Sequence, residues 1–192
     1  MANLPDTEAQ FDAIVASCRR LFAQKTEDYG AAWTILRLPS LTDQIFIKAK
    51  RIRTLEIKGE SRVGEGIEPE YVGIINYCVM ALILHRQPEL QPQGDVLQPL
   101  RAPVAEVLGL YDAQVAAIRS TLLKKNHDYG EAWRDMRPAS FTDLILMKLL
   151  RIKQIEDHQG ETRVSEGVDA GYEDIVNYSV FALIRRGWPI PV

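Results

Sequence analysis

Hydrophobic residues recur at three- and four-residue steps in three segments of the second half of the chain, a spacing typical of helices with one buried face. The segments are Val104–Lys125, Phe141–Asp157 and Ala170–Arg185. The first half has the same periodicity at 7–26, 41–58 and 69–85. The pattern therefore predicts an all-α protein built from six helices.

Polar and glycine-containing stretches separate these helices. The sequence Asp-Tyr-Gly at 128–130 is typical of a turn, and the residues after it predict a short helix. Ser140, with Asp143 three residues later, resembles a capping box and predicts the start of the second helix. The polar segment 160–167 begins and ends with glycine, so it predicts a loop before the third helix.

The two halves are copies of one another, since residues 11–85 recur at 111–186 with one inserted residue. A polar residue that persists in both copies indicates a constraint, because unconstrained positions drift. The persistent polar residues of the second copy include Lys125, Asp128, Tyr129, Thr142, Asp143, Lys148, Arg151, Glu156, Arg163, Glu166, Tyr172, Asn177 and Tyr178.

The duplication divides the chain into a first repeat at 1–86, a proline- and glutamine-rich linker at 87–103, and a second repeat at 104–192. A three-helix unit of about 75 residues buries limited apolar area when it is alone. We therefore expect two homologous three-helix repeats packed as a pseudo-two-fold helical bundle, with homo-oligomerisation left open.

The composition is that of an ordinary globular protein, with 192 residues, 46% hydrophobic and 26% charged, and a formal net charge of -3. The slight acidic excess disfavours an extended nucleic-acid surface, which needs a basic face. No apolar run approaches the roughly 18 residues of a membrane span, and Met1–Pro5 lacks a signal-peptide pattern. We therefore expect a cytoplasmic protein without a membrane partner.

Cysteine and histidine chemistry is disfavoured by the repeat. Cys18 and Cys78 correspond to Ile118 and Ser179 in the second copy, and none of the three histidines is repeated. A site required by both copies would keep its ligands in both. We expect two buried, unreactive cysteines and no histidine-centred mechanism.

Lys148 and Arg151 lie three residues apart on the second helix, among neighbours that are nearly all apolar. This helix is expected to be buried on most sides, and cations within it need an anionic partner, because an unpaired buried charge is costly. One interpretation is a structural salt bridge with Asp128 or Glu166. The other is a phosphate clamp built from the same residues.

Carboxylates and an amide follow in the next loop and helix. Arg163 and Glu166 precede the third helix, and Asp174 and Asn177 share one face of it. Glu166, Asp174 and Asn177 would suit Mg²⁺, which prefers oxygen ligands. A helix cap with a hydrogen-bonded core amide is the alternative. Because Asp174 corresponds to Gly73, we expect the second copy to hold the better site.

Two aromatic rings lie beside the turn at 128–130. Tyr129 and Trp133 offer surfaces either for stacking a nucleobase or for packing in the core, and core packing is the favoured role for Trp133. We expect Lys125 and Asp128, on the same segment, to face a pocket.

The ordered combination of these motifs resembles the nucleotide modification associated domain 1 family. Members of that family typically carry Lys-x-x-Asp-Tyr-Gly, then a basic helix, then an acidic segment that ends in Asn-Tyr. The corresponding segments here are 125–130, 148–151 and 172–178, and the first copy repeats them. The resemblance implies a role in nucleotide metabolism or in the modification of DNA bases.

More distantly, the family resembles the all-α MazG-like nucleoside triphosphate pyrophosphohydrolases. Those enzymes hold Mg²⁺ with Glu-x-x-Glu on one helix and Glu-x-x-Asp on the next. The chain departs from that pattern, because its first helix offers Arg119 and Lys124 and its second offers Lys148 and Arg151.

Three functions are consistent with the sequence. The first is a Mg²⁺-dependent enzyme that binds a nucleoside phosphate and hydrolyses a phosphoanhydride bond. In this hypothesis Glu166 and Asp174 are catalytic and hold the metal together with Asp128. The residues assigned to the substrate are Lys125, Tyr129, Lys148, Arg151, Arg163 and Asn177. The second function is nucleotide binding without catalysis, and the third is a structural or partner-binding role.

Overall fold

The computed structural model describes residues 6–59, 64, 66–92, 97–158, 160 and 167–188. Its six α-helices are α1 (Thr7–Tyr29), α2 (Leu38–Lys58), α3 (Glu68–Arg86), α4 (Val104–Tyr129), α5 (Pro138–Asp157) and α6 (Val168–Arg185). Short 3-10 helices lie in the connections, at Ala32–Ile35, Pro88–Leu90 and Ala132–Asp135. The described residues contain no β-strand, which confirms the all-α prediction.

The first helix of each copy is longer than its apolar periodicity predicts. α1 and α4 continue to Tyr29 and Tyr129, and each ends at a glycine of positive φ, 63° at Gly30 and 57° at Gly130. Glycine adopts this conformation readily because it has no Cβ. The Asp-Tyr-Gly motif is therefore the last turn of a helix with its stop residue, and the predicted short helix follows in both copies.

The predicted capping box at Ser140 is wrong. α5 begins before it, at Pro138, and the Ser140 N–H donates to the carbonyl oxygen of Arg137 at 2.9 Å. The fixed φ of proline suits the first turn of a helix, and its missing N–H would have had no intrahelical acceptor there. Pro138 therefore sets the start of the helix in place of a serine side chain.

α3 and α6 form the centre of the bundle, where they pack against each other and against α2 and α5. Both are apolar on nearly every side, with Ile75, Val79 and Val176 fully buried. Buried hydrophobic residues from all six helices belong to one core cluster, so the two copies share a single core. Cys18 and Cys78 lie in it as free thiols, as expected. Among the described residues, none of the helices combines the length and apolar character needed to span a membrane.

The copies are related by the expected pseudo-two-fold axis, because equivalent helices pack on each other and make reciprocal contacts. The Thr42 hydroxyl lies 2.7 Å from the Tyr172 hydroxyl and donates to Glu156 Oε1 at 2.7 Å. The mirrored set is Thr142 with Tyr71 and Glu56, at 2.9 Å for both contacts. These buried or half-buried polar residues persist in both copies because each meets its partner in the other copy.

Ion pairs repeat the same reciprocity at the surface between α1 and α4. Arg19 Nε lies 2.6 Å from Asp112 Oδ1, and Arg119 Nε lies 2.7 Å from Asp12 Oδ1. Exposed pairs of this kind contribute little to stability, on the order of 1 kcal/mol or less. Their main effect is to favour one alignment of the two helices.

The segment predicted as a linker, 87–103, contacts the first copy. Gln91 Nε2 donates to the carbonyl oxygen of Leu36 at 2.6 Å, and the Leu100 N–H donates to Thr34 Oγ1 at 2.9 Å. Leu100 also forms an isolated antiparallel bridge with Ala31. The linker is therefore attached to the connection between α1 and α2.

Replacing the two half-buried carboxyls at the axis should change how stability depends on pH. Burial raises the pKa of Glu56 and of Glu156 above 4.5, although hydrogen bonds from Thr142 and Thr42 oppose the shift. A carboxyl with a raised pKa stabilises the folded state at low pH, and this contribution is lost as the pH rises through the raised value. Glutamine does not ionise, so the double variant Glu56→Gln/Glu156→Gln does not lose this stability as the pH rises.

We expect the free energy of unfolding of the double variant to increase relative to the unmodified protein as the pH rises from about 4 to about 7. Urea denaturation at a series of pH values measures both proteins. A difference that stays constant across this range would contradict the assignment.

Candidate functional site

Each copy has an open cleft between the end of its first helix, its 3-10 helix and its third helix. Cleft 1, in the first copy, has a volume of about 510 Å³, and cleft 2, in the second, about 660 Å³. Both volumes are typical of small-molecule sites. The equivalent lining residues are Lys25, Tyr29, Trp33, Asn76 and Tyr77 in cleft 1 and Lys125, Tyr129, Trp133, Asn177 and Tyr178 in cleft 2.

Aromatic rings form part of the lining of cleft 2. The turn at Gly130 and the 3-10 helix after it bring Trp133 onto Phe181, where the ring centroids are 4.3 Å apart and the planes 5° apart. The guanidinium of Arg134 lies 4.2 Å from the centroid of Trp133. Trp133 is buried, so it packs in the core as predicted while it also lines the cleft. Tyr129 is 74% exposed, which leaves its ring available for stacking.

The indole N–H groups of Trp33 and Trp133 are buried and have no hydrogen-bond acceptor among the described residues. An unsatisfied buried donor costs about 1–3 kcal/mol. The same donor lacks an acceptor in both copies, at side chains that line the clefts. A hydrogen-bond acceptor placed beside either indole N–H would remove this energetic cost.

Asp174 is the centre of the charged contacts in cleft 2. Its Oδ1 lies 3.0 Å from Lys125 Nζ and its Oδ2 lies 2.6 Å from Lys148 Nζ. Lys148 thus has a structural anionic partner, which is neither of the two carboxylates that the sequence suggested. Burial and then the nearby Asp174 carboxylate raise the pKa of Tyr178, so its hydroxyl stays protonated near neutral pH.

The first copy neutralises its basic helix with a different carboxylate. Glu70 Oε2 lies 3.1 Å from Lys48 Nζ, and its Oε1 lies 2.6 Å from Arg51. Glu70 corresponds to Gly171, just as Asp174 corresponds to Gly73. The acid and the glycine have therefore exchanged places, three residues apart on the third helix. Sequence reasoning missed Glu70, although the paired exchange is visible when the copies are aligned.

The described residues do not fit a magnesium site. They include no group of three or more carboxylate, histidine or cysteine side chains placed to hold a metal ion. Both oxygens of Asp174 already accept from lysines. Asp128 lines cleft 2, but its carboxylate is 78% exposed and lies 3.3 Å from His127. Glu166, the remaining predicted ligand, lies outside the described residues.

The other predicted ligand-binding residues are only partly brought together. Asn177, Tyr129 and Lys125 line cleft 2, and Lys148 reaches it through Asp174. Arg151 instead lines a shallow depression on the outer side of α5, next to Met147 and Leu150. Arg163 lies outside the described residues.

The second helix is also less buried than its apolar sequence predicted. Met147 and Leu150 are 53% and 54% exposed. They line a depression that also includes Arg53 of α2, so α2 leaves about half of each side chain exposed.

The comparisons with known proteins give one family. The family model described as nucleotide modification associated domain 1 matches the chain twice, at residues 25–84 and 125–185. No curated protein and no solved structure matches. The more distant likeness to MazG-like enzymes therefore stays an expectation. Each matched segment includes the lysine, two tyrosines, tryptophan and asparagine that are equivalent in the two clefts.

The asparagines of the two clefts differ in their hydrogen bonds. Asn76 Nδ2 donates to the carbonyl oxygen of Cys18 at 3.2 Å, and its Oδ1 accepts from the Tyr111 hydroxyl at 2.9 Å. Asn177 Oδ1 is buried without a donor among the described residues. The position equivalent to Tyr111 is Phe11, which has no hydroxyl group. The pseudo-symmetry thus accounts for the unpaired oxygen.

Two opposite substitutions test this account of the asparagines. Phe11→Tyr should supply the missing donor to Asn177 and raise the free energy of unfolding by about 1 kcal/mol. Tyr111→Phe should remove the donor from Asn76 and lower it by about 1–3 kcal/mol. Urea denaturation measures both effects. Destabilisation by Phe11→Tyr comparable to that by Tyr111→Phe would contradict the pseudo-symmetric pairing.

Proposed function

This chain belongs to the nucleotide modification associated domain 1 family, and from that membership we propose that it binds a phosphorylated nucleoside in the clefts. The observation that carries the proposal is the repeated lining of the clefts. Both copies keep a lysine, two tyrosines, a tryptophan and an asparagine around a volume of 510–660 Å³. A cationic side chain can bind a phosphate group, an amide can hydrogen-bond to the edge of a base, and an aromatic ring can stack on its face.

The exposed tyrosines support the base-binding part of the proposal. Tyr29 and Tyr129 are 70% and 74% exposed, although tyrosine usually buries much of its ring. Both end the first helix of their copy and line the clefts. The fold has no packing use for these rings, so stacking on a base would explain why they persist.

Binding without catalysis is the form of the function that we favour over hydrolysis. Hydrolysis by a metal-activated water needs carboxylates that are available to the metal. Asp174 is held by two lysines instead, and its counterpart in the first copy is a glycine. The hydrolytic enzyme and its Mg²⁺ remain the rival proposal, which depends on Glu166.

Titration of the protein with the common ribonucleoside and deoxyribonucleoside triphosphates, with and without Mg²⁺, tests the proposal. We expect isothermal titration calorimetry to detect binding of at least one of them in the absence of Mg²⁺. Tyr29→Ala/Tyr129→Ala should weaken that binding about tenfold or more, because stacking contributes about 1–3 kcal/mol per base. Leu97→Ala, at a residue that is 78% exposed and lines neither cleft, is the control.

Two results would count against this function. Absence of binding by every nucleotide would favour the structural or partner-binding role. Release of phosphate or pyrophosphate with Mg²⁺, abolished by Glu166→Gln, would favour the hydrolytic enzyme.

A further inference from the structure

The carboxylate that neutralises the basic helix lies at different places relative to the two clefts. Asp174 lines cleft 2 and binds both Lys125 and Lys148. Glu70, which takes this role in the first copy, is not among the described residues that line cleft 1. At the position of Asp174, cleft 1 has only the backbone of Gly73. The first copy thus keeps its basic helix paired without placing a carboxylate in its cleft.

The charged residues that line the clefts therefore differ in balance. Within the described part of the chain, cleft 1 is lined by Lys25 and Lys48 and by no carboxylate, and Glu70, which lies 3.1 Å from Lys48 Nζ, brings the formal charge of these groups to +1. Cleft 2 is lined by Lys125, Asp128 and Asp174, and with Lys148, which lies 2.6 Å from Asp174, these groups have a formal charge of 0.

Lys25 is the lysine of cleft 1 that is placed to meet a ligand, because Lys48 is bound to Glu70. Lys25 is exposed and has no acidic partner among the described residues, whereas Lys125 is bound to Asp174. Lys48 runs along the backbone of α3, so that a Cβ added at Gly73 would lie 2.8 Å from its Cε. The absence of a side chain at Gly73 is what leaves room for Lys48 beside the cleft.

We propose that cleft 1 is the main phosphate-binding site of the protein and that cleft 2 binds the same anion much more weakly. This rests on the proposed function and reverses the expectation that the second copy holds the better site. Ammonium groups bind phosphate oxygens through charge-assisted hydrogen bonds, and carboxylates a few ångströms away oppose that binding. The difference in charge between the clefts therefore decides which one holds the phosphate groups.

Calorimetric titration with inorganic pyrophosphate in the presence of a chelator tests the proposal on the full chain. We expect one strong site per chain. Lys25→Ala should weaken it about tenfold or more, and Lys124→Ala, which removes an exposed lysine that lines neither cleft, should leave it unchanged. Asp174→Asn should produce a second site, because it frees the two lysines of the second copy. Circular dichroism checks that each variant is folded.

Three outcomes would overturn the inference. They are loss of pyrophosphate binding on Lys125→Ala but not on Lys25→Ala, two equal sites in the unmodified protein, and no pyrophosphate binding at all. The proposed function would survive each of these if the nucleotide titration still showed binding sensitive to Tyr29→Ala/Tyr129→Ala. Failure of every nucleotide to bind would instead refute the proposed function itself.

Discussion

The packing of α3 against α6 is the interaction on which the rest of the structure depends. Each of these helices is apolar on nearly every side, and neither could be covered by the two other helices of its own copy. Their contact across the pseudo-two-fold axis produces one core from two copies. The reciprocal Thr–Tyr–Glu contacts follow from it. In a symmetric interface, the threonine of each copy meets the tyrosine and the glutamate of the other copy. Persistence of these polar residues is thus a consequence of pairing.

A second group of persistent residues lines the clefts in both copies. Tyr29 and Tyr129 end the first helices and are exposed, whereas Asn76 lies in the middle of α3 and also accepts a hydrogen bond from Tyr111 of the other copy. Because the shared core fixes how the helices pack, charged residues near the clefts can differ between the copies without changing the fold. The exchange of acid and glycine between Glu70–Gly73 and Gly171–Asp174 is such a divergence: each basic helix keeps a counter-ion, and only one cleft gains a carboxylate. One scaffold can in this way carry two unequal sites.

The fold could be predicted from the sequence because helical periodicity and the duplication are both local or internal signals. The site could be predicted only in part. Lys125, Tyr129 and Asn177, which the sequence suggests as substrate-binding residues, line one cleft. The sequence does not predict the partner of Lys148, since salt-bridge partners depend on how helices pack. For the same reason the apolar sequence of α5 does not predict the exposure of Met147 and Leu150, because an apolar side chain does not show whether another helix covers it. Pro138 overrode the serine cap because proline restricts the backbone itself.

Hydrogen exchange in increasing concentrations of urea tests the central claim, that the two copies form one folding unit through α3 and α6. Mass spectrometry resolves the opening free energy of peptides from each helix in the unmodified protein. The shared core predicts that the slowest amides of Glu68–Arg86 and Val168–Arg185 converge on the same free energy and the same dependence on urea. Loss of protection in one of these helices while the other stays protected would contradict it.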